Sequence, residues 1–186
     1  MNAVPKPNLY QQLLDLPEHV AGEILNGELH TLPRPTGRHG LAASALNTDL
    51  GPPFGFGRGG PGGWWIIPEP EVHFIRDVEL AVPDLAGWRR ERMPQMPEDH
   101  RFEIVPDWLC EILSPSTAKK DRVIKLPIYA RHGVGYVWLV DPMARTLEAF
   151  ESREGRWLMI AALKDDDRVA VPPFEAVGFG LADLWG

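Results

Sequence analysis

A single carboxylate interrupts a strongly apolar segment near the middle of the chain. Glu111 lies within Trp108–Leu113, a short apolar run that ends at Ser114-Pro115 and is typical of a buried strand. A buried carboxylate is costly unless it is paired with a cation, protonated or bound to a metal. The sequence therefore predicts that Glu111 has a partner in the fold.

A second acid and a lysine stand where they could act with Glu111. Asp84 follows Pro83 near the end of Val78–Leu85, an apolar segment that predicts a neighbouring strand. We therefore expect the carboxyl groups of Asp84 and Glu111 to converge. The segment after Glu111 carries a polar stripe at helical spacing, formed by Asp121, Lys125, Tyr129 and His132.

Each of these residues also has a purely structural interpretation. Asp84 could terminate a strand or cap a turn, and Glu111 could form an ion pair with an arginine such as Arg122. Lys125 could be a solvated helix charge that pairs with Asp121, four residues earlier. The residues alone leave these alternatives open.

The segments around Glu111 predict a strand, a helix and a second strand. The helix is expected to begin at the hydroxyl residues of Ser114–Thr117 and to stop at Gly133. A bend is expected at Pro127, because proline has no N–H to donate to the preceding turn. Val134–Val140 is a second apolar run, so this unit resembles a crossover in a sheet that is covered on both faces.

The other segments predict a mixed α/β or α+β domain, since strand direction is not visible in the sequence. The predicted elements are a short helix at Leu9–Leu16, a hairpin at Glu23–Leu32 that turns at Asn26-Gly27, a helix at Thr36–Leu50 with Leu41, Ala45 and Leu46 facing the core, strands at Trp64–Phe74 and Val78–Leu85, a surface connection at Trp88–Arg101, and a hairpin formed by Thr146–Phe150 and Arg156–Leu163. Residues 1–20 are interpreted as a lead-in and residues 21–186 as one domain.

Composition narrows the classes of protein that fit. The chain has 186 residues, of which 44% are apolar and 24% charged, as in ordinary soluble domains. Its net charge of −7 argues against a broad basic surface for nucleic acid but leaves room for a local basic groove. Cys110 is the one cysteine, so it is expected to be a packed thiol. No signal peptide or long apolar span is evident, which predicts a cytoplasmic protein without a membrane partner.

Four motifs in order along the chain carry a family resemblance. They are PDLAGWRRERMP, DWLCEILSPST, DRVIKLPIYARHGV and YVWLVDP. Together they resemble the Uma-type restriction endonuclease family of the PD-(D/E)xK nuclease superfamily. The resemblance implies a restriction-endonuclease-like αβββαβ core with an N-terminal hairpin and C-terminal β-hairpins. It also implies a Mg²⁺-dependent endonuclease that hydrolyses DNA phosphodiester bonds.

The same resemblance implies a metal site at the edge of the sheet. Asp84 and Glu111 would hold Mg²⁺ or Mn²⁺, and the backbone carbonyl of Ile112 would be a further ligand. Hard divalent ions prefer such oxygen ligands and keep several waters. The ion would lower the pKa of a bound water and neutralise charge that builds on the phosphate.

The chain departs from the superfamily pattern at one position. The pattern places a lysine two residues after the second acid, and this chain has Leu113 there. Lys125 on the following helix is the expected replacement, as an ammonium beside the scissile phosphate. Glu23 and His39 match polar positions in the N-terminal part of the family and are expected to support the site.

Two other classes of function are alternatives to a nuclease. A binding module for nucleic acid or protein could keep the fold and lose the chemistry, which Leu113 and the negative net charge would favour. A glycosidase would also use two carboxyl groups, about 5–10 Å apart, but no sugar-binding pattern supports it. A symmetric homodimer is the expected assembly for a small intracellular protein.

Overall fold

Two β-sheets form the framework of the protein, in a computed structural model that describes residues 8–186. The helices are α1 (Leu9–Leu14), α2 (Gly37–Leu50), α3 (Ala118–Lys120) and α4 (Leu126–Arg131), with π-helical segments at Gly51–Gly55 and Asp121–Lys125 and a 3-10 turn at Leu181–Leu184. The strands are β1 (Gly22–Leu25), β2 (Glu28–Thr31), β3 (Trp64–Pro68), β4 (Glu71–Ile75), β5 (Glu79–Ala81), β6 (Leu85–Arg89), β7 (Arg101–Phe102), β8 (Trp108–Ile112), β9 (Tyr136–Asp141), β10 (Thr146–Arg153), β11 (Arg156–Lys164), β12 (Arg168–Val169) and β13 (Phe179–Gly180).

The larger sheet has six strands in the order β11-β10-β9-β8-β6-β3. Its β8 and β9 are parallel and are joined through α3 and α4, whereas its other neighbouring pairs are antiparallel. The smaller sheet has the order β2-β1-β5-β4-β7. Along the chain, α2, β3, β6, β8, the α3–α4 crossover and β9 give the predicted αβββαβ order in a mixed α+β fold.

Alternation along β8 explains why this strand lies at the centre of the fold. Trp108, Cys110 and Ile112 point into an apolar cluster that includes α2 residues, while Leu109 and Leu113 join a second cluster with α4 residues. Helices therefore cover both faces of the strand, as its continuous apolar pattern predicts. Each such apolar side chain stabilises the fold by about 1.5–3 kcal/mol when fully buried. Cys110 is completely buried, and burial raises the pKa of its thiol well above the usual value, as do the charges of Asp84 and Glu111.

The helix after Glu111 has a widened turn in front of Pro127. The Leu126 N–H bonds to the carbonyl of Asp121, five residues back, within the π-helical segment Asp121–Lys125. Proline cannot donate to the turn that precedes it, so the backbone widens at this point. The structure shows a π-helical turn just before Pro127, where the sequence predicts a bend, and the charged residues Asp121 and Lys125 are both buried.

The prediction of two strands at Trp64–Phe74 and Val78–Leu85 was wrong, because β3, β4 and β5 precede Asp84 and β6 begins after it. Glu69 has a φ of 48°, which breaks Trp64–Phe74 into β3 and β4, and these enter different sheets. The second predicted strand ends at Ala81, before Pro83, because proline cannot donate to a sheet ladder. Asp84 therefore lies in the gap between β5 and β6.

Two further predictions need correction. The segment Trp88–Arg101 is not a surface connection throughout, because Trp88 is fully buried within β6. In α2, Leu46 is buried as expected, but Leu41 is 43% exposed and the core is contacted by Ala42 and Leu50 instead.

The predicted hairpins are present. Asn26 and Gly27 have φ values of 52° and 78°, the left-handed pair that a tight two-residue hairpin requires, between β1 and β2. The C-terminal pair β10–β11 is also confirmed.

Part of the predicted lead-in, residues 1–7, lies outside the described residues. From residue 8 onward, no helix combines the length and the apolar character needed to cross a membrane.

Asp49, near the end of α2, is expected to make stability depend on pH. Its Oδ2 atom is buried without a hydrogen-bond partner in the described chain, and burial together with Asp183 raises its pKa to about 6. The unfolded value is about 4, so the folded state holds this proton more tightly. Asp49 thus favours folding at low pH, and that contribution is lost as pH rises from about 4 through 6.

Asp49→Asn is therefore expected to raise stability at neutral pH. The gain should be roughly 1 kcal/mol, because partial exposure of Asp49 screens the full effect. Urea unfolding of the variant and the wild type at pH 4 and pH 7.5 would measure it. The two proteins should differ less at pH 4, and a larger gain there would contradict the assignment to Asp49.

Candidate active site

A pocket with a volume of about 620 Å³ opens where β8 meets α3 and α2. Its wall is unusually rich in side chains that ionise. The acidic members are Glu69, Glu71, Asp84, Glu111 and Asp121, and the basic members are Arg34, Lys120 and Lys125, with His19, His39 and His100. Every residue that the sequence proposed for the site, except Glu23, is part of this wall, and Glu23 lies directly behind it.

Asp84 and Glu111 are brought together by strand register. Leu85 of β6 pairs with Cys110 of β8 in an antiparallel ladder, which places the preceding Asp84 beside Glu111. Asp84 Oδ2 accepts a 2.6 Å hydrogen bond from the backbone N–H of Ile112. The two acids therefore line the same pocket, and Ile112 lines it with them.

His39 holds the other oxygen of Asp84. Its Nε2 lies 2.8 Å from Asp84 Oδ1. Thr36 caps α2 by accepting the His39 N–H at 3.3 Å, which fixes His39 in the first turn of the helix. The hydrogen bond with Asp84 raises the pKa of His39 above its usual value, against the opposing effect of burial. His39 thus orients Asp84 through this hydrogen bond.

Glu111 has the partners that its burial requires. Its Oε1 atom lies 2.8 Å from Lys125 Nζ and accepts a hydrogen bond from the hydroxyl of Tyr129. Burial raises the pKa of the Glu111 carboxyl well above its usual range, and nearby carboxylates add to this while Lys125 opposes it. The alternative pairing with Arg122 is wrong, because Arg122 pairs with Glu148 at 2.7 Å.

Lys125 is an interior cation rather than a solvated helix charge. Its side chain is 2% exposed, and its ammonium lies 2.8 Å from Glu23 Oε1 as well as from Glu111. Burial by itself lowers the pKa of Lys125, but the carboxylates of Glu111 and Glu23 outweigh that effect and hold the pKa well above its usual value. The interpretation of Lys125 as a solvated charge is therefore excluded.

Glu23 connects two lysines behind the pocket. It is fully buried on β1, and its Oε1 accepts the Val82 N–H at 3.0 Å. Its Oε2 lies 2.5 Å from Lys120 Nζ. Burial raises the pKa of Glu23, but Lys125 and Lys120 reverse the shift and lower the pKa below its usual value. Glu23 is therefore charged and forms ion pairs with both ammonium groups.

Three residues of the site were not selected from the sequence. The sequence patterns assign no role to Lys120, and they include Tyr129 only as a member of the polar stripe. Asp121 was treated only as a partner for Lys125; it is buried in the pocket wall, and burial raises its pKa. The polar stripe at helical spacing already contained Asp121 and Tyr129, so that pattern could have identified them. Nothing in the pattern singles out Lys120.

The donor set suits a hard divalent cation. Carboxylate and carbonyl oxygens are the ligands that Mg²⁺ and Mn²⁺ prefer, and Mg²⁺ commonly binds through one or two carboxylates and keeps several waters. Asp84 and Glu111 provide that class of ligand in one pocket, which Ile112 also lines. Over residues 8–186, no group of three or more histidine, cysteine or acidic side chains is arranged to hold a metal ion. An ion held here by Asp84 and Glu111 would therefore need further ligands, such as water.

Comparisons with known proteins agree on the kind of protein. The family model Uma2, described as "Putative restriction endonuclease", matches residues 8–183. A crystal structure from Anabaena variabilis ATCC 29413, described as a "putative nuclease belonging to DUF820", is similar with a TM-score of 0.72 and 25% sequence identity. The match covers 96% of this chain and 98% of the other. A comparison with curated protein sequences found no match.

Proposed function

The chain belongs to the Uma2 family, "Putative restriction endonuclease", and we propose that it is a metal-dependent endonuclease that hydrolyses DNA phosphodiester bonds. The observation that carries this proposal is the meeting of Asp84 and Glu111 in one pocket, beside the buried ammonium of Lys125. Two acids and a lysine in one cleft are the residue types that phosphodiester hydrolysis requires for charge stabilisation. A cytoplasmic location and a homodimer stay predictions.

Asp84, Glu111 and the carbonyl of Ile112 would hold Mg²⁺ or Mn²⁺. When bound, such an ion lowers the pKa of a water and neutralises charge on the phosphate. The protein contributes the fixed positions of the ligands. His39 and the Ile112 N–H each hold one oxygen of Asp84, so this carboxylate is oriented before any ion arrives.

Lys125 supplies the positive charge that Leu113 cannot. Leu113 is buried in the apolar cluster that includes Tyr129, so its position in the pattern is part of the core here. The ammonium of Lys125 reaches Glu111 from the crossover helix instead, at 2.8 Å. A cation enclosed with a carboxylate in a low-dielectric pocket acts more strongly than it would in water. Lys125 thereby opposes the rise in the pKa of Glu111 that burial causes, and it holds the carboxyl group in place.

The proposal is tested by incubating the full chain with supercoiled plasmid, linear duplex and single-stranded circular DNA. Nicking or cleavage is expected with Mg²⁺ or Mn²⁺ and should stop when EDTA removes the ion. The Glu111→Gln variant, purified in parallel, controls for contaminating nucleases. An absence of cleavage on all three substrates with either ion would reject the nuclease and favour the binding module.

A further inference from the structure

The two lysines of the site differ in how many of their hydrogen-bond donors are engaged. The Lys125 ammonium lies 2.8 Å from Glu23, 2.8 Å from Glu111 and 3.4 Å from the carbonyl oxygen of Val82. An ammonium has three N–H donors, and these three acceptors account for all of them. Lys125 lines the pocket, but its side chain is only 2% exposed, so it has no free donor and little surface that a substrate oxygen could reach.

Lys120 is in the opposite situation. Its ammonium lies 2.5 Å from Glu23 Oε2, and in the described part of the chain Glu23 is its one recorded hydrogen-bonding partner. Its side chain is 16% exposed and forms part of the pocket wall. Two donors of Lys120 are therefore available to a ligand that enters the pocket.

Glu23 gives Lys120 a fixed position. A free lysine side chain carries about 2 kcal/mol of rotamer entropy, which a ligand must otherwise overcome. Glu23 is fully buried, and its Oε1 is held by the Val82 N–H and by Lys125. Its Oε2 is therefore held in place to accept a hydrogen bond from Lys120. A lysine anchored in this way is a preorganised donor for an anion.

The pocket needs such a donor if its ligand is anionic. Five acidic side chains line it, and a phosphodiester would be repelled by them without cations that can touch it. Lys125 is enclosed, so its charge acts at a distance. Of the lysine and arginine side chains that line the pocket, Lys120 and Arg34 have surface open to solvent. Lys120 is also held by an ion pair with Glu23, behind the pocket wall.

We propose that Lys120, held by Glu23, contacts a phosphate oxygen of the nucleic-acid strand beside the carboxylate pair, whereas Lys125 is a positioning residue that acts through Glu111. This inference rests on the proposed function, because it names a substrate contact of the same site. It changes the role of Lys125 that the sequence predicts, because the sequence places Lys125 at the phosphate and assigns no role to Lys120.

The experiment measures binding separately from cleavage. Fluorescein-labelled duplex oligonucleotide is titrated with protein in Ca²⁺, a hard cation that takes oxygen ligands, at salt concentrations from about 50 to 200 mM. Lys120→Met should weaken binding about tenfold, as for loss of one charge-assisted hydrogen bond. The plot of log Kobs against log salt should become shallower by about 0.9, the loss of one phosphate contact.

Lys119→Met is the matched control, since Lys119 is the adjacent exposed lysine and does not line the pocket. It should keep the wild-type slope. Lys120→Arg should restore the slope that Lys120→Met loses. Lys120→Gln, whose amide can still donate to Glu23, replaces the methionine variant if that variant does not fold.

An unchanged salt slope for the neutral Lys120 variants would overturn the inference, and so would a wild type that does not bind the oligonucleotide. If the wild type cleaves with Mg²⁺ while the Lys120 variants bind normally, the inference fails and the nuclease stands. If the wild type binds without cleaving and the Lys120 variants lose one contact, the nuclease fails and the inference stands.

Discussion

Lys125→Met is expected to lower the free energy of unfolding by about 3–5 kcal/mol, the effect of removing one partner from a buried ion pair. Glu23 and Glu111 both lie 2.8 Å from the lost ammonium. Glu23 would keep Lys120, but Glu111 would keep only the hydroxyl of Tyr129. The same change should reduce metal-dependent cleavage by about 10²–10³, because Glu111 would lose the cation that favours its charged form.

Urea unfolding, monitored by tryptophan fluorescence, measures the free energy of unfolding. Plasmid nicking under conditions in which the variant is folded measures the rate of cleavage. Lys119→Met serves again as the control, because Lys119 is exposed; its stability should change by no more than about 0.5 kcal/mol. A Lys125→Met protein as stable as the wild type would show that Lys125 is not the cation that compensates these carboxylates.

This expectation reverses one that the sequence suggested. On a helix, a stripe formed by Asp121, Lys125 and Tyr129 usually marks the solvated face, and a surface lysine contributes little to stability. Here the stripe faces inward, because the π-helical segment and the crossover place it against β8. The sequence contains the spacing of the stripe, but the direction in which it points depends on the packing of the sheet.

Other parts of the fold and site could be predicted because their causes are local. The Asn26-Gly27 turn requires a left-handed backbone that these residues adopt readily, so the hairpin follows from two positions. The apolar alternation of β8 also determines which residues face α2 and which face α4. The need of Glu111 for a partner follows from the cost of burying a carboxylate.

Features that depend on distant parts of the chain could not be predicted. Trp64–Phe74 looks like one strand, and only the assembled sheets show that Glu69 must break it so that its halves enter different sheets. Lys120 belongs to the site through Glu23, a residue 97 positions earlier in the chain. No spacing rule connects two such residues, because the strand pairing that brings β1 to the crossover is a tertiary event.

Glu111→Gln is the complementary change, and it should separate catalysis from stability. The variant is expected to lose cleavage by at least about 10³-fold, because an amide is a weaker ligand for a hard cation than a carboxylate. Binding of Mn²⁺, measured by calorimetry on the protein without DNA, should weaken by at least about tenfold, in the range that lost ligand interactions produce.

The Glu111→Gln variant should keep more of its stability than the Lys125→Met variant does. The glutamine oxygen can still accept from Tyr129 and Lys125, and Lys125 keeps its ion pair with Glu23. The amide also avoids the desolvation cost of a buried carboxylate, the same effect that raises the pKa of Glu111. The free energy of unfolding should therefore stay within about 1 kcal/mol of the wild type.

The double variant Lys125→Met/Glu111→Gln measures the energetic coupling between Lys125 and Glu111. It removes the carboxylate that Lys125→Met leaves without its cation, so it should recover part of the lost stability, with a coupling energy of about 0.5–3 kcal/mol. Cleavage should stay absent in the double variant, because the charged ligand is gone. Additive losses of stability would mean that Lys125 and Glu111 do not compensate each other, and cleavage by Glu111→Gln at the wild-type rate would remove Glu111 from the proposed metal site.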